Sequence, residues 1–536
     1  MASYLGELAL SNDLKVFVAR TVGSLLISLM KTHNTQSREA ALKALNQVSS
    51  CEASAKVLVE KGILSPIVMS ILPGPIHIPM RLKEVSATIL ANIVTCDCDF
   101  SSIPVGPNNQ ALVSEDIIHK LLHLIKKSGP SIDCKLVQVL VEITNSPVTV
   151  IPVANAIKSS DATRKLVRFI KTPRKDLRMA SIKLLHNLSL HINREIGHCL
   201  CKSARQLSSL FEIISENITS TEAQAAAIGI IADIPKENIE LTRKMLDEGD
   251  FEIVVSRTKM IIQGETTRSR FVTPYLEGLV RVLSGITFAF SHEPRAVSFC
   301  RDHELAALFT ELLQQDGVDK VQIASALALE ALSRESKNLS KSPEIRPPGL
   351  RLSVFLHLSK KPIKTGLCRV HRGACTQRDT FCLLEGQSLA SLVNLLDHPN
   401  EKVVEASLAA LSTLLDDGVY IEEGVNVLVE AEGIKPIFDV LVLENQTESL
   451  RRRALWIVER LLRTEEIANE MSGDQNVTNA FVYAFHHGDN QTRHIADRAL
   501  KRIDKNVFQT ETVSLRFREK FKIVKKFNYI VNKLNM

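Results

Sequence analysis

Glu39-Ala-Ala-Leu-Lys-Ala-Leu45 is one copy of an apolar pattern that recurs along the chain. Small and aliphatic residues lead at helical spacing into a tetrad of the form Leu-x-x-[Leu/Ile/Val], here Leu45-x-x-Val48. The stretch Glu405-Ala-Ser-Leu-Ala-Ala-Leu411 repeats the arrangement. Ten tetrads occur, separated by 42 to 52 residues except for one interval of 82, and their first residues are Leu45, Leu90, Leu140, Leu185, Ile231, Leu283, Leu329, Leu411, Val458 and Leu500.

This spacing predicts the fold class. A period of roughly 40 to 47 residues without strand alternation is typical of α-solenoids of the armadillo or HEAT type. One repeat cannot bury its apolar face alone, so stacked neighbours share a continuous core. We therefore expect an all-α chain, a right-handed α-solenoid of about ten to eleven armadillo-type repeats. Such an architecture is typical of proteins that hold other macromolecules.

A second landmark accompanies the tetrads. Gly62-Ile-Leu-Ser-Pro-Ile-Val68 and Gly433-Ile-Lys-Pro-Ile-Phe438 each place a Gly at a turn, followed by a Pro suited to a helix start. We interpret these segments as the third helix of a repeat, which lines the concave surface. The tetrad is then predicted to lie on the second helix, or at its junction with the third.

The interval of 82 residues divides the chain. It separates Leu329 from Leu411 and contains Pro343, Pro347, Pro348, Gly349 and Pro362. A long segment of this kind need not pack as a repeat. We predict armadillo repeats over 1–333, a Pro-containing loop insertion over 334–378, further armadillo repeats over 379–505 and a basic amphipathic tail over 506–536.

Charge is concentrated at one end. The net charge is +6, and residues 511–536 alone hold seven Lys and Arg against Glu511 and Glu519. The remaining 510 residues carry about +1, which does not provide the basic face that a nucleic-acid-binding protein needs. Ten cysteines without a signal peptide or an 18-residue apolar run indicate reduced thiols. We expect a cytoplasmic protein, with the nucleus or the periphery of the plasma membrane as alternatives.

No catalytic motif is present. The chain has no phosphate-binding Gly-x-x-x-x-Gly-Lys-[Ser/Thr] loop and no His-Glu-x-x-His motif, so we predict no catalytic residue and no cofactor. The candidate metal ligands are Cys368, His371, Cys375 and Cys382, whose spacing matches a structural zinc site only loosely. The alternative is two loop thiols, a surface His and a buried Cys382.

The candidate partner-binding residues lie on the tetrad helices. Arg451-Arg452-Arg453 precede Trp456, the single tryptophan of the chain. They form either a solvated helix start or a contact for an acidic or phosphate-bearing partner. Asn92 and Asn187 each occupy the third position of a tetrad, and we include both as candidates for contacting a bound protein.

The tail has apolar residues at helical spacing among its lysines. These are Phe517, Phe521, Val524, Phe527, Val531 and Leu534. A basic amphipathic helix can bind an anionic membrane, and it can equally cap the last repeat. A tail that is not native to the protein is the third alternative.

Five stretches carry a family resemblance. They are residues 80–94, 370–375, 415–419, Arg270-Phe-Val-Thr-Pro-Tyr-Leu-Glu-Gly-Leu279 and Ser472-Gly-Asp-Gln-Asn-Val477. Here the chain resembles the armadillo region of plant U-box ubiquitin ligases, in particular the long senescence-associated type. The resemblance implies that the repeats select the protein substrate. It also implies that a U-box of about 70 residues recruits the ubiquitin-conjugating enzyme. The ligase then acts by holding that enzyme close to a substrate lysine.

The chain departs from that family in two respects, the tail after about Asn506 and the missing U-box motif. It has no Cys-Pro-Ile segment of the U-box kind, so we expect it to be inactive alone and to engage the conjugating enzyme only if a U-box is supplied. Two other functions remain as alternatives. One is a membrane-peripheral scaffold or adaptor that uses the 511–536 tail. The other is an import-receptor-like binder of basic peptides, which would use repeated Trp and Asn residues.

Overall fold

The computed structural model describes most of the chain. The described residues are 11–73, 78–96, 98–105, 110–125, 127–216, 221–264, 269–339, 369–371, 382–384, 387–443, 446–471 and 473–507. Within these ranges the regular secondary structure consists of 27 α-helices and three 3-10 turns, with no β-strand. The chain divides into two compact units, 1–283 and 284–536.

Unit 1 contains α1 to α15 and most of α16, within which the division falls. Its helices are α1 (Asn12–Met30), α2 (Thr35–Val48), α3 (Glu52–Glu60), α4 (Leu64–Ile71), α5 (Met80–Ile93), α6 (Glu115–Leu124), α7 (Pro130–Ile143), α8 (Pro147–Ser159), α9 (Ala162–Phe169), α10 (Lys175–Leu188), α11 (Asn193–Cys201), α12 (Ala204–Ser215), α13 (Glu222–Ala232), α14 (Ile239–Asp247), α15 (Asp250–Ile262) and α16 (Val272–Ile286).

Unit 2 contains the remaining helices. They are α17 (Pro294–Asp302), α18 (Leu305–Leu313), α19 (Asp319–Leu339), α20 (Ser388–Asn394), α21 (Glu401–Ser412), α22 (Ile421–Glu430), α23 (Ile434–Val442), α24 (Glu448–Leu461), α25 (Glu465–Met471), α26 (Gln475–His487) and α27 (Asn490–Val507).

Helices recur in groups of three. A long helix carrying the tetrad is followed by two shorter helices, as in α2 with 14 residues, α3 with 9 and α4 with 8. The prediction that the tetrad lies on the second helix, or at its junction with the third, was wrong for this group, because α3 lies between the tetrad helix α2 and the Gly-Pro helix α4. The missed helix is short, and its apolar residues Ala55, Leu58 and Val59 give only a weak periodic signal.

The tetrad helices form the core of each unit. In unit 1, α2 packs on α5, α5 on α7, α7 on α10 and α10 on α13. In unit 2, α19 packs on α21, α21 on α24 and α24 on α27. Leu45, Leu90, Leu140 and Leu185 are fully buried between these helices. Each unit is thus an all-α solenoid, as the period predicted. The handedness and the number of repeats stay predictions.

The turns explain where glycine is needed. Gly62 has φ +79°, and two backbone hydrogen bonds, Ile63 N to Leu58 O and Gly62 N to Val59 O, end α3 in a Schellman motif. At the equivalent turn before α23, the left-handed residue is Glu432, with φ +55°, and not Gly433. Glycine therefore marks these turns only approximately.

The long interval leaves the stacking of unit 2 intact. Ser333 Oγ and Thr413 Oγ1 lie 2.8 Å apart although 80 residues separate them in sequence. Elsewhere neighbouring tetrad helices are joined by residues about 43 apart, such as Asn187 and Thr144. Helix α19 continues to Leu339, six residues past 333, and most of the predicted insertion lies outside the described residues. The four predicted segments stay predictions.

Candidate functional site in unit 2

An open cleft of about 320 Å³ lies along the tetrad helices of unit 2. Helices α19, α24 and α27 and the end of α21 contribute to its walls. Its lining residues are Arg334, Ser412, Asp416, Ser449, Arg452, Arg453, Trp456, Gln491 and Ile495. The cleft therefore combines three guanidinium groups with an aromatic and an aliphatic side chain.

Helical periodicity places Arg452, Arg453 and Trp456 on the cleft. Leu450, Ala454, Leu455, Ile457, Val458 and Leu461 of α24 are buried in the core. Positions 452, 453 and 456 fall on the opposite side of the helix, one turn apart. Thr447 accepts a hydrogen bond from Leu450 N at 3.4 Å and fixes the start of the helix.

Carboxylates pair with two of the three cleft arginines. Arg452 Nη1 lies 3.3 Å from Asp489 Oδ2. Arg334 lies 2.8 Å from Glu330 Oε1 and 3.6 Å from Asp416 Oδ2. The backbone N–H of Thr492, followed by smaller contributions that include Arg452, lowers the pKa of Asp489. The Nε of Arg453 is buried without a hydrogen-bond partner among the described residues.

A cluster of arginines continues the cleft along α24 and α27. We call it the arginine cluster, and it comprises Arg460, Arg463, Arg498 and Arg502 around the fully buried Glu459. The guanidinium carbon of Arg460 lies 4.9 Å from the centre of the Trp456 ring. Arg460 Nη1 also lies 2.7 Å from Asp417 Oδ1.

Arg451 lies apart from the other two arginines of its run. It contacts Glu448 at 3.4 Å, and its guanidinium carbon lies 4.9 Å from the centre of the Tyr483 ring. Of the four predicted residues on α24, Arg452, Arg453 and Trp456 line the cleft together and Arg451 does not. Sequence reasoning missed Arg334, Arg498 and Arg502, which come from other tetrad helices.

The two asparagines lie in unit 1 between neighbouring tetrad helices. Asn92 Nδ2 donates to Ser49 Oγ at 3.1 Å. Asn187 Nδ2 donates to Thr144 Oγ1 at 3.1 Å and to Asn145 Oδ1 at 3.0 Å. Both side chains therefore join adjacent repeats, and their role in binding a partner stays a prediction.

The structure describes two of the four candidate zinc ligands. His371 Nδ1 lies 3.3 Å from Cys382 Sγ, and Cys382 is buried. Cys368 and Cys375 lie outside the described residues. Among the residues that are described, no group of three His, Cys, Asp or Glu side chains could hold a metal ion.

Two further pairs of cysteines lie close in sequence: Cys96 and Cys201 are buried, and their neighbours Cys98 and Cys199 are half-buried. Cys96 Sγ lies 3.3 Å from Cys98 Sγ, and burial, aided by Cys98, raises the pKa of Cys96 to about 12. Burial also raises the pKa of Cys199 and Cys201. A nucleophilic cysteine requires a lowered pKa, so these environments do not activate the thiols.

None of the described helices is both long and apolar enough to cross a bilayer. The 511–536 tail lies outside the described residues, so its contact with an anionic membrane stays a prediction.

Comparison with known proteins gives a consistent set of relatives. The chain is 53% identical over 508 residues to U-box domain-containing protein 43 of Arabidopsis thaliana, covering 94% of the chain and 62% of that protein. It is 52% identical to U-box domain-containing protein 44 of the same plant, with the same coverage. It is 44% identical over 528 residues to U-box domain-containing protein 24 of Oryza sativa subsp. japonica, covering 94% and 63%.

These relatives bear out the resemblance to plant U-box proteins. The chain spans less than two thirds of their length. No protein-family model matches the chain.

Solved structures share the fold at low sequence identity. An engineered protein from the Northeast Structural Genomics Consortium matches with TM-score 0.57 and 15% identity, over 90% of this chain and 98% of that one. A chain from the structure reported as "A conserved phosphorylation switch controls the interaction between cadherin and beta-catenin in vitro and in vivo" matches with TM-score 0.59 and 13% identity, over 90% and 83%. At these identities the similarity concerns the fold alone.

Proposed function

We propose that the chain is the target-recognition part of a plant U-box ubiquitin ligase, with armadillo-type repeats that hold a protein substrate. The relatives are U-box domain-containing proteins, which supports the ligase assignment. A solenoid presents an extended surface to another chain, which supports the binding role. No catalytic residue is assigned to the 536 residues.

The cleft in unit 2 is the proposed contact with the target. The observation that carries this assignment is the meeting of Arg334, Arg452 and Arg453 with Trp456 in one open cleft. Guanidinium groups bind carboxylates through paired hydrogen bonds, and a tryptophan supplies apolar contact area. Residues of these types are also enriched among those that dominate protein interfaces. The preferred target segment is therefore acidic and carries an apolar side chain.

The same charges disfavour the import-receptor alternative. A basic peptide in this cleft would bring like charges together at short distance, which opposes binding. Trp456 is the only tryptophan of the chain, so the repeated tryptophans of such a receptor are absent from the sequence.

Ubiquitin transfer requires a second component in this account. A U-box ligase forms no covalent intermediate on itself and works by holding a conjugating enzyme near a substrate lysine. We expect no transfer when residues 1–536 are mixed with activating and conjugating enzymes. Transfer should appear when a U-box is fused before Met1. Chain formation by residues 1–536 alone would refute this assignment.

Binding can be measured through the emission of Trp456. The probes are two pools of random dodecapeptides, one rich in Asp, Glu and Leu and one rich in Lys, Arg and Leu. We expect the acidic pool to change the emission and the basic pool to leave it unchanged. Substituting Arg452→Gln and Arg453→Gln together should weaken acidic binding by about tenfold or more.

The control variant removes the same number of positive charges, from two residues of α27 that do not line the cleft. Arg493→Gln with Lys501→Gln should leave the affinity for the acidic pool unchanged. Equal binding of the basic pool, or equal loss in the control variant, would contradict the proposed cleft.

A further inference from the structure

Glu459 is a carboxylate buried among four guanidinium groups. Its side chain is 0% exposed, and the nearest nitrogens of Arg463, Arg502, Arg498 and Arg460 lie 3.0, 3.6, 3.8 and 4.0 Å from its oxygens. Three of the four arginines therefore approach the carboxylate within 3.8 Å. The negative charge of Glu459 therefore holds the four guanidinium groups in position.

One carboxylate does not neutralise the cluster. Asp417 provides a second negative charge at Arg460, so four guanidinium groups face two carboxylates and retain a net charge of +2. Arg460 and Arg463 are 7% and 28% exposed and therefore recessed, whereas Arg498 and Arg502 are 51% and 38% exposed. The uncompensated charge thus faces solvent at Arg498 and Arg502.

The arginine cluster is continuous with the cleft. Arg460 contacts the ring of Trp456, which lines the cleft. On α27, Arg498 follows the cleft residue Ile495 by one helical turn. A single extended segment can therefore occupy the cleft and reach the cluster.

We propose that the arginine cluster binds a phosphorylated Ser or Thr side chain of the target segment that occupies the cleft. This inference rests on the proposed function and names its substrate class, a phosphorylated acidic segment. A phosphate monoester carries nearly two negative charges at neutral pH, which match the net charge of the cluster. Its oxygens accept paired hydrogen bonds from guanidinium groups, a geometry that lysine does not provide.

The geometry favours a peptide over a lipid headgroup. Arg460 and Arg463 are recessed beside Glu459, and the adjoining surface is a cleft with Trp456 and Ile495. A flat membrane surface is contacted by projecting basic side chains, whereas a phosphorylated side chain can enter between helices.

The test compares two fluorescent pools of acidic dodecapeptides on the full chain. One pool has a fixed central phosphoserine and the other has serine at that position, and binding is followed by anisotropy. We expect the phosphoserine pool to bind about tenfold more tightly or better. Substituting Arg498→Gln with Arg502→Gln should remove this advantage while keeping the affinity for the serine pool, which also shows that the variant folds.

Two controls separate the outcomes. Arg493→Gln with Lys501→Gln makes the same charge change on α27 and should keep the advantage of phosphoserine. Vesicles containing phosphatidylinositol phosphates provide the membrane arm, measured by co-sedimentation. Equal affinity for the two peptide pools, an advantage that survives Arg498→Gln with Arg502→Gln, or arginine-dependent vesicle binding without peptide preference would overturn the inference. If the phosphoserine pool binds and the serine pool does not, the result counts against the proposed acidic cleft and not against the phosphate site.

Discussion

Glu459 shows how one buried residue organises a charged surface. A charged side chain is rarely buried without partners, and the four arginines around Glu459 supply them. The carboxylate in turn reduces the repulsion among guanidinium groups that lie close together. Stability and the positions of these binding groups therefore depend on the same residue.

The first prediction concerns Glu459→Gln. Removing the carboxylate leaves the recessed Arg460 and Arg463 without their buried counter-charge, and breaking a buried ion pair typically lowers the free energy of unfolding by about 3 kcal/mol. Urea unfolding followed by Trp456 emission measures this loss in unit 2. Inorganic phosphate should stabilise the variant more than the parent, because it replaces the missing negative charge.

The matched control is Glu448→Gln on the same helix. Glu448 is 50% exposed and pairs with Arg451 at 3.4 Å, so its loss should change stability by less than about 1 kcal/mol. Similar losses in the two variants would show that Glu459 has no special role.

The second prediction concerns Asp250 at the start of α15. Its side chain is buried and its Oδ2 has no hydrogen-bond partner among the described residues. Burial, with smaller contributions from Glu248 and Glu252, raises the pKa of Asp250 to about 7, whereas an unfolded Asp titrates near about 3.9. The folded chain therefore retains a proton that the unfolded chain has lost, and the contribution of Asp250 to stability falls as pH rises between these values.

Asp250→Asn removes this dependence. We expect the variant to gain more thermal stability over the parent at about pH 8 than at about pH 5. Melting temperatures at the two pH values, measured by circular dichroism, give the comparison. An equal difference at both pH values would mean that the carboxyl group is not the cause.

At the scale of elements, one register position joins the tetrad helices. Residues two positions after the first residue of a tetrad contact the preceding or following tetrad helix or the turn that follows it. They include Asn92, Asn187, Asp233, Arg460 and Arg502. The solenoid therefore uses this position for polar links, with asparagine in one part of the chain and arginine in another.

This register explains what the sequence could and could not predict. The tetrads predicted the helices and their stacking because apolar residues must recur wherever neighbours share a core. They also placed Trp456 and Arg453 on one surface. Arg498 and Trp456 occupy the same position relative to their tetrads, two residues before Leu500 and Val458, so aligning the repeats by tetrad could have joined them.

Other features lacked a sequence signal. Arg334 lies 118 residues before Arg452. Because the interval of 82 residues breaks the period, nothing in the sequence indicated that α19 and α21 pack against each other. The short helix α3 and its equivalents were missed because nine residues contain too few apolar positions to show a clear period. At the turn before α23 the left-handed residue is Glu432, whereas the sequence favoured the adjacent Gly433 for that conformation.

The third prediction concerns the packing of α22. A Cβ atom added at Gly424 would lie 2.0 Å from the carbonyl oxygen of Leu414, which is backbone and cannot rotate away. Gly424→Ala should therefore destabilise unit 2 by about 2 kcal/mol. Urea unfolding followed by Trp456 emission provides the measurement.

Gly285→Ala is the comparison. It lies in the last turn of α16, where an added Cβ meets no atom within 4 Å, so it should stabilise the chain by up to about 1 kcal/mol. Destabilisation by both substitutions would show that helix propensity and local space do not explain the role of these glycines.

At the scale of the whole molecule, the proposed function separates target recognition from ubiquitin transfer. The repeats bury their core between stacked helices and leave side chains on the tetrad helices available to a partner. The chain spans less than two thirds of the length of its U-box relatives, and transfer in this account requires a U-box. The target should therefore be selected by the cleft regardless of which conjugating enzyme is recruited.

The most direct test uses residues 1–536 fused after a U-box, together with a lysine-bearing reporter protein that carries the acidic peptide pool. The account predicts that Arg453→Gln with Trp456→Ala abolishes ubiquitin transfer to the reporter and leaves self-modification of the fusion unchanged. Reporter modification that persists at the parental rate in this variant would contradict the assignment of the cleft as the target-binding surface.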